Sequence, residues 1–208
     1  EVKKNDSKSG NDDISEDFGM SQFWYDIPTR QKLAQEVLSL GNTRDLNDKS
    51  TKLIACISAP SVFLALQEMN LENTECILLE YDTRFSKFGS QYVQYDFNHP
   101  TKIPTHLLQN FDCVIADPPY LNKECMVKTG ETMRLMCKNK NTPRIFCTGA
   151  IMERAIHLIL GLRRNKYEPK HASKLSNEFA VYTNYDSERF GNWLEPLDEL
   201  KHLVKKEE

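Results

Sequence analysis

Short apolar runs alternate with amphipathic stretches along most of this chain. The apolar runs predict strands at 53–57, 76–79, 92–95, 111–116, 144–148 and 178–185. Helical periodicity occupies several intervals between them, at 28–40, from the turn at 58–61 to about 69, at 123–136 and from 149 to 160. This alternation predicts an α/β fold with an open, mostly parallel sheet and helices on both faces. The late strands at 144–148 and 178–185 suggest an antiparallel edge strand.

Both ends of the chain depart from this pattern. Residues 1–17 are charged and almost devoid of apolar side chains, so we expect a disordered acidic segment. Residues 187–208 form a polar tail with one weak apolar helix, which would use Leu194, Leu197, Leu200 and Leu203. Residues 18–186 are therefore predicted to form a single domain, which opens with an aromatic cluster from Phe18 to Tyr25.

The charge distribution argues against a nucleic-acid-binding surface. The formal net charge of the 208 residues is −3; residues 1–17 carry −3 and residues 186–208 another −3, which leaves +3 on the body. Such a body lacks the broad basic footprint of nucleic-acid binders. One locally basic stretch is expected to be a solvated rim, and it consists of Arg163, Arg164, Lys166, Lys170 and Lys174.

The six cysteines, at 56, 76, 113, 125, 137 and 147, show neither a C-x-x-C pair nor a ligand-like spacing with histidine. Four of them lie in apolar strand runs, where a thiol is ordinarily a small core residue: Cys56, Cys76, Cys113 and Cys147. No apolar run approaches the ~20 residues that a membrane span needs. We therefore expect a reduced, cytoplasmic protein with no metal site and no membrane association.

Three acids stand where successive predicted strands end. Glu80, Asp96 and Asp117 follow the second, third and fourth apolar runs. Open α/β sheets bind ligands at the carboxyl ends of their strands, so three such acids indicate a ligand-binding edge. An acid after the second strand typically accepts hydrogen bonds from ribose hydroxyls; Glu80 is preferred for this role and Asp82 is the alternative. Asp96 would lie near the exocyclic amine of an adenine.

The sequence Asp117-Pro118-Pro119-Tyr120 follows the fourth strand directly. Proline has a fixed φ and no amide hydrogen, so the chain must form a stiff loop here. Its carboxylate and a proline carbonyl could accept both hydrogens of an amine, and Tyr120 could offer a π face to developing positive charge. This looks like the catalytic motif of amino-group methyltransferases that use S-adenosylmethionine. An ordinary Pro-Pro turn with an aspartate cap is the alternative.

Several segments together point to one family. They are Ser-Gln-Phe-Trp-Tyr at 21–25, Ser-Ala-Pro-Ser at 58–61, Glu-Tyr-Asp at 80–82, the loop at 116–120, the run at 147–153, and the segment from Asn177 to Asp186. The chain resembles the eukaryotic lysine methyltransferases that modify translation elongation factor 1A, a family formerly labelled N6-adenine methyltransferases. In that family Ser-Ala-Pro-Ser replaces the glycine-rich turn that other methyltransferases use.

The resemblance implies a class I methyltransferase fold with a seven-stranded sheet and S-adenosyl-L-methionine as the cofactor. It implies that Gln22, Phe23, Trp24 and Tyr25 enclose the methionine end of the cofactor, that Ser58 and Ala59 line it, and that Glu80 and Asp96 hold ribose and adenine. Asp117 to Tyr120 would hold the target amine, with Asp117 orienting it and also bordering the cofactor. The expected partner is elongation factor 1A, and the chain is expected to act as a monomer.

Two rival functions remain open at this point. The first keeps the chemistry but changes the substrate to adenine N6 in DNA or RNA, where Tyr120 would stack on a flipped base. The basic stretch at 163–174 is its best support, and the nearly neutral body counts against it. The second is a non-catalytic subunit with a methyltransferase fold, which an intact Asp-Pro-Pro-Tyr loop argues against.

Overall fold

The computed structural model describes residues 14–41, 50–69, 71–173 and 177–195. Its strands are β1 (Lys52–Ile57), β2 (Thr74–Glu80), β3 (Tyr92–Gln94), β4 (Cys113–Ala116), β5 (Arg144–Gly149), β6 (Arg163–Arg164) and β7 (Phe179–Thr183). Within these residues they form one seven-stranded sheet in the order β3-β2-β1-β4-β5-β7-β6. The first five strands pair in parallel, whereas β7 runs antiparallel to both β5 and β6. The predicted fold class is confirmed.

The helices cover both faces of this sheet. They are α1 (Ile27–Gly41), α2 (Pro60–Gln67), α3 (Lys123–Met136) and α4 (Glu153–Leu160), with short 3-10 turns at Phe18–Met20, Thr83–Gln91, Thr105–Leu107 and Ala150–Met152. The predicted bounds of α3 are confirmed. The helix starts at Lys123 because the Asn122 side chain accepts a hydrogen bond from the Cys125 amide at 2.8 Å and caps the first turn. Among the described residues, no helix combines the length and apolarity needed to cross a bilayer.

Two buried clusters account for the apolar strand runs. Ile54 and Cys56 of β1 pack in the cluster that contains α1 and α2, and Ala55 and Ile57 pack in the cluster that contains α3 and α4. Because successive side chains of a strand point to opposite faces, a strand covered on both faces must be apolar at nearly every position. All six cysteines are buried free thiols, which confirms the core assignment of the four strand cysteines.

The domain begins earlier than residue 18. Ile14 is only 7% exposed, and the Glu16 carboxylate accepts the Trp24 amide at 2.8 Å. Asp17 caps the first 3-10 turn by accepting the Gly19 amide at 2.8 Å. Residues 14–17 therefore belong to the packed structure, in contrast to the expected disorder through Asp17; residues 1–13 lie outside the described residues.

The basic stretch contains the edge strand β6, which the apolar pattern does not reveal. The Arg164 guanidinium pairs with Glu153 at 3.3 Å and also with Glu178, and the Arg163 guanidinium lies 4.0 Å from the centre of the Trp193 ring. A two-residue strand made only of arginine has no apolar periodicity to detect. These two side chains are engaged with protein groups, so they differ from the solvated rim that was expected; Lys174 lies outside the described residues.

The segment after β7 folds back onto α1. Glu36, only 5% exposed, accepts hydrogen bonds from the Tyr185 hydroxyl at 3.1 Å, the Ser187 hydroxyl at 2.6 Å and Arg189 Nε at 3.0 Å. Phe190 is fully buried beside them. The packed domain thus extends past 186, and Leu194 lies outside any helix. The rest of the predicted tail helix, with Leu197, Leu200 and Leu203, lies outside the described residues.

Replacing Glu36 by glutamine should lower the free energy of unfolding by about 1–2 kcal/mol. The amide keeps the shape but loses the charge that strengthens three hydrogen bonds to a buried acceptor. Denaturant unfolding followed by fluorescence measures the change. The matched control is Glu68→Gln, which weakens a partly exposed ion pair to Arg30 at 3.3 Å and should cost no more than about 0.5 kcal/mol. Equal effects of the two changes would contradict the anchoring role of Glu36.

Candidate active site

A cavity of about 310 Å³ opens at the carboxyl ends of β1, β2 and β4. Residues 19–24 form one side of it, and His171 and Phe179 approach from the side of β7. Most of the candidate site residues line this single cavity: Gln22, Phe23, Trp24, Ser58, Glu80, Asp96, Asp117, Pro118, Pro119 and Tyr120. Two others do not, because Ala59 is fully buried in the core and Tyr25 is only 2% exposed.

The turn between β1 and α2 approaches the cavity without glycine. Ser58 has a left-handed backbone with φ of 48°, and its amide donates to the Leu79 carbonyl at 2.8 Å. Pro60 then begins α2, and the Ala59 carbonyl accepts the Phe63 amide at 3.1 Å. A left-handed conformation at a residue with a side chain costs on the order of 1 kcal/mol and is most often retained at functional sites. The backbone geometry of a glycine turn is thus reached by a serine, whose side chain borders the cavity.

The structure distinguishes the two candidate acids after β2. Glu80 is 6% exposed, borders the cavity and accepts the Asp82 amide at 3.2 Å. Asp82 is instead occupied, since its carboxylate binds Arg84 Nη2 at 2.7 Å and Gln22 Nε2 at 3.1 Å. Burial raises the pKa of Glu80, and the hydrogen bond from the Asp82 amide opposes that rise only in part. The geometry therefore favours Glu80 as the ligand-facing acid.

Arg84 and Gln22 fasten the segment that covers the cavity. Arg84 Nη2 donates to the Ser15 carbonyl at 3.2 Å and to Gln22 Oε1 at 3.3 Å, while it also binds Asp82. Both the Nε2 and the Oε1 atoms of Gln22 are therefore hydrogen-bonded, and these bonds hold residues 19–24 in place beside the cavity. Trp24 follows on the same segment, and its buried Nε1 finds no acceptor among the described residues. A buried donor of this kind usually has a partner, so the unpaired indole is a notable feature of this segment.

Asp117 lies at the floor of the cavity, immediately after β4. Its amide donates to the Ile57 carbonyl at 3.0 Å, which fixes the start of the loop against β1. Asp117 is only half-buried and lines the cavity, yet nearby protein atoms remove much of the hydration of its carboxyl group. This desolvation raises the pKa of Asp117 to about 8; the Tyr25 hydroxyl opposes the rise and the charge of Glu80 adds to it. Tyr120 closes the loop, 44% exposed, with its ring 5.7 Å from that of Phe97.

His171 is a site residue that the sequence patterns did not reveal. It forms an antiparallel bridge with Tyr25, supported by hydrogen bonds from the Asp26 amide to the Lys170 carbonyl at 2.9 Å and from the Ala172 amide to the Trp24 carbonyl at 2.8 Å. Its ring lies 4.7 Å from the Tyr25 ring and 4.4 Å from the Phe179 ring. Burial lowers the pKa of His171 to about 4, so the imidazole is neutral at physiological pH.

The side chains that line the cavity suit an adenosyl sulfonium ligand in their hydrogen-bonding groups, charge and apolar surface. The carboxyl groups of Glu80, Asp96 and Asp117 face it together, which suits a ligand rich in hydroxyl and amino donors that also carries positive charge. The aromatic side chains of Phe23, Tyr95 and Phe97 supply apolar surface for a flat base.

The raised pKa of Asp117 predicts a pH-dependent stability of the cofactor-free protein. Because the pKa rises from 3.8 to about 8 on folding, the stabilising contribution is fully present below pH 3.8 and is lost as the pH rises toward 8. The loss should be on the order of 1–3 kcal/mol, since the cavity admits some solvent. Thermal unfolding between pH 5 and about 9 measures it. Asp117→Asn should remove the decline relative to the native chain; a parallel decline in both proteins would contradict the assignment.

Comparisons with known proteins identify the family to which the chain belongs. The family model described as "Probable N6-adenine methyltransferase" matches residues 16–187. A mouse (Mus musculus) protein named EEF1A lysine methyltransferase 1 is 41% identical over 175 residues, which cover 84% of this chain and 77% of that protein. The Caenorhabditis elegans protein-lysine N-methyltransferase M142.8 is 38% identical over 181 residues, covering 85% and 82% of the two chains.

A solved structure is similar in fold alone. The branched-chain polyamine synthase of Thermus thermophilus, in complex with N4-aminopropylspermidine and 5'-methylthioadenosine, aligns with a TM-score of 0.54 at 12% identity. The alignment covers 82% of this chain and 59% of that one. Together with the strand order, the fold and the site define a class I methyltransferase-type domain. The sequence matches go further: the chain belongs to the family of S-adenosylmethionine-dependent protein-lysine methyltransferases that includes the EEF1A lysine methyltransferases.

Proposed function

We propose that this protein transfers the methyl group of S-adenosylmethionine to a lysine side chain of translation elongation factor 1A. The observation that carries the proposal is the position of Asp117: it begins the Asp-Pro-Pro-Tyr loop and lines the same cavity as Glu80 and Asp96. Two relatives aligned over more than four-fifths of this chain carry names of protein-lysine methyltransferases, and the mouse name specifies the elongation factor. These names support the lysine and the partner protein.

The cofactor, when bound, supplies an electrophilic methyl group next to a positive sulfur. Glu80 would hold the ribose and Asp96 the adenine, as their places after β2 and β3 suggest. Ser58, Phe23 and Trp24 would border the methionine end. Gln22 contributes indirectly through its contacts with Asp82 and Arg84. Ala59 and Tyr25 lie behind this wall, so their contributions would be to the shape of the turn and to the support of Asp117.

Asp117 would act by orientation. Its carboxylate and a carbonyl of Pro118 or Pro119 would accept the two hydrogens of the lysine amine, which leaves the nitrogen lone pair free to attack. A nearby carboxylate stabilises an ammonium, so Asp117 does not by itself make lysine neutral, and the proton must be lost to water before the cavity is filled. Tyr120 would cover the amine, and the neutral His171 adds no positive charge that would repel it.

Adenine in DNA or RNA has less support as the methyl acceptor. The strongest sequence evidence for a nucleic-acid substrate was the basic stretch at 163–174. In the structure, however, Arg164 is paired with two carboxylates and Arg163 lies over the Trp193 ring. Nucleic-acid binding relies on cations free to meet phosphates. The family model keeps adenine in its description, so nucleic acid belongs in the test as a competing acceptor.

The test is a competition between acceptors. The protein is incubated with methyl-labelled S-adenosylmethionine, purified elongation factor 1A and adenine-containing nucleic acid, and labelled residues are mapped by mass spectrometry. Label on a lysine of the elongation factor, absent with Asp117→Ala, is the expected result. Label on nucleic acid alone would overturn the proposed substrate and keep the site. Label on neither, together with no cofactor binding by calorimetry, would favour a non-catalytic subunit.

A further inference from the structure

Gly149 is the last residue of β5, and its backbone conformation does not require glycine. Its φ of −60° and ψ of 140° belong to the extended region that residues with side chains adopt readily. The space beside it is what distinguishes the position. A Cβ atom at Gly149 would lie 3.1 Å from each of the two methyl carbons of Leu121, whereas carbon atoms in contact prefer about 3.5–4.0 Å. A strand glycine of this kind marks the close approach of another part of the chain.

Leu121 directly follows the loop at 117–120 and ties the end of that loop to the sheet. Its methyl groups lie against Gly149, while the side chain as a whole is half-buried. The start of the loop is held separately, by the hydrogen bond from the Asp117 amide to the Ile57 carbonyl at 3.0 Å. The loop is therefore fastened at both ends, by a hydrogen bond to β1 and by an apolar contact with β5.

The position of Gly149 is itself fixed by the antiparallel edge of the sheet. Gly149 pairs in register with Phe179, the first residue of β7. The Ala150 amide then donates to the Glu178 carbonyl at 2.8 Å, and the Tyr182 hydroxyl donates to the Ala150 carbonyl at 3.4 Å. Because these contacts hold the end of β5, Leu121 rests on a backbone that is fixed independently of the loop.

The loop between its two fastenings has little freedom to absorb a displacement. Pro118 and Pro119 each have a fixed φ, which leaves few soft torsions between Asp117 and Leu121. Tyr120 immediately precedes Leu121 and lines the cavity together with both prolines. A shift of Leu121 is therefore passed on to the groups that border the cavity.

We propose that Gly149 and Leu121 are positioning residues for methyl transfer: the missing side chain at Gly149 lets Leu121 approach closely, and this contact sets the place of Tyr120 and the two prolines around the acceptor amine. The inference rests on the proposed function, since the loop that it concerns is the one proposed to hold the lysine amine. Neither Gly149 nor Leu121 lines the cavity, so both would act through the loop.

The test begins with Gly149→Ala, which adds one methyl group where Leu121 lies and displaces that side chain by a few tenths of an ångström. We expect kcat for lysine methylation, at saturating cofactor and elongation factor 1A, to fall about tenfold, because small misplacements at a reacting centre are costly. Cofactor affinity measured by calorimetry should change by less than about twofold. The melting temperature should fall by no more than about 2 °C, since the backbone suits alanine and the half-buried Leu121 can yield.

Rescue by a second substitution separates a positioning role from a general loss of packing. Leu121→Val shortens the side chain, and alone it should lower kcat about threefold because it leaves a gap at Gly149. Gly149→Ala fills that gap, so the double variant should return to within about twofold of the native kcat. Losses that simply multiply in the double variant would overturn the proposal, as would native turnover by Gly149→Ala.

The matched control is Gly130→Ala in α3. Gly130 also faces a leucine, Leu160 of α4, and neither of these two residues lines the cavity. An added methyl group would overpack this contact between two helices, so the melting temperature should fall by about 5 °C. At a temperature where the variant remains folded, its kcat should stay within about twofold of the native value. Equal losses of kcat in Gly130→Ala and Gly149→Ala would contradict a specific role of Gly149.

Thermal stability provides a readout that does not need activity. In the cofactor-free protein, Leu121→Val should lower the melting temperature by about 3 °C in the native background and by less than about 1 °C in the Gly149→Ala background. Equal shifts in the two backgrounds would overturn the proposal. A native protein that methylates no lysine would instead overturn the proposed function, while this comparison would still test the contact between Leu121 and Gly149.

Discussion

Replacing Asp117 by alanine should lower kcat for lysine methylation by about three orders of magnitude while changing cofactor affinity by less than about threefold. In the proposed mechanism the carboxylate is the acceptor that holds the amine in line with the methyl group. Removing a preorganised hydrogen-bonding group from a reacting centre typically costs about 10²–10³-fold in rate. The amide of Asp117 remains bound to the Ile57 carbonyl at 3.0 Å, so the loop keeps its start. Single-turnover kinetics with saturating cofactor measures the chemical step directly.

Asp117→Asn separates the charge from the shape of this side chain. The amide keeps one acceptor oxygen but presents donor hydrogens to the amine, so we expect a loss of about 10²-fold that does not recover at high pH. Both variants should be at least as stable as the native chain above pH 8, where a desolvated carboxylate is most costly. Turnover by Asp117→Ala at more than about a tenth of the native rate would remove Asp117 from the mechanism.

The sequence was most informative where the chain is buried on both faces. Strands β1, β2, β4 and β5 each contain a continuous run of mostly buried apolar residues, so each run is visible without any knowledge of its neighbours. Parallel strands also bring their carboxyl ends to one edge, and for this reason three acids far apart in the chain could be expected in one cavity. Glu80, Asp96 and Asp117 do line the same cavity.

The parts that could not be predicted depend on contacts across long separations in the chain. His171 borders the cavity because its backbone pairs with Tyr25, and no local pattern marks that pairing. Tyr25, which is paired in this way, is only 2% exposed and does not line the cavity. Strand β6 forms because β7 offers it a partner, although its two arginines have little apolar character. The contacts that hold residues 14–17 and 187–190 likewise depend on partners elsewhere in the chain, chiefly Trp24 and Glu36.

The glycine-free turn at Ser58 shows that the lack of a glycine motif does not exclude a cofactor-binding turn. Absence of glycine after β1 would normally count against a nucleotide-type cofactor, because glycine best tolerates a positive φ. Here Ser58 itself has φ of 48°, so the backbone conformation is present without the usual residue. The conformation of the turn, more than its composition, decides whether a ligand can approach the start of α2.

Replacing Glu80 by alanine should weaken S-adenosylmethionine binding about 100-fold. Glu80 is a nearly buried carboxylate that can accept two hydrogen bonds from a ribose diol, and each charge-assisted hydrogen bond of this kind is worth about 1.5–3 kcal/mol. Calorimetric titration measures the change, and S-adenosylhomocysteine should lose affinity equally because it has the same ribose. At saturating cofactor, kcat should stay within about fivefold of the native value, since the proposed role of Glu80 is to hold the ribose and that of Asp117 is to hold the amine.

Two controls make the assignment of the ribose specific. Glu75→Ala removes an exposed acid from the other end of the same strand and should leave cofactor binding unchanged. Asp82→Ala breaks the contacts with Arg84 and Gln22, so it should loosen the segment over the cavity and lower thermal stability even without cofactor. If Asp82→Ala bound S-adenosylmethionine weakly at native stability while Glu80→Ala bound it normally, the ribose contact would be assigned to Asp82 instead. The reverse pattern would leave Glu80 as the acid that recognises the nucleoside, with Asp82 fastening the segment that encloses it.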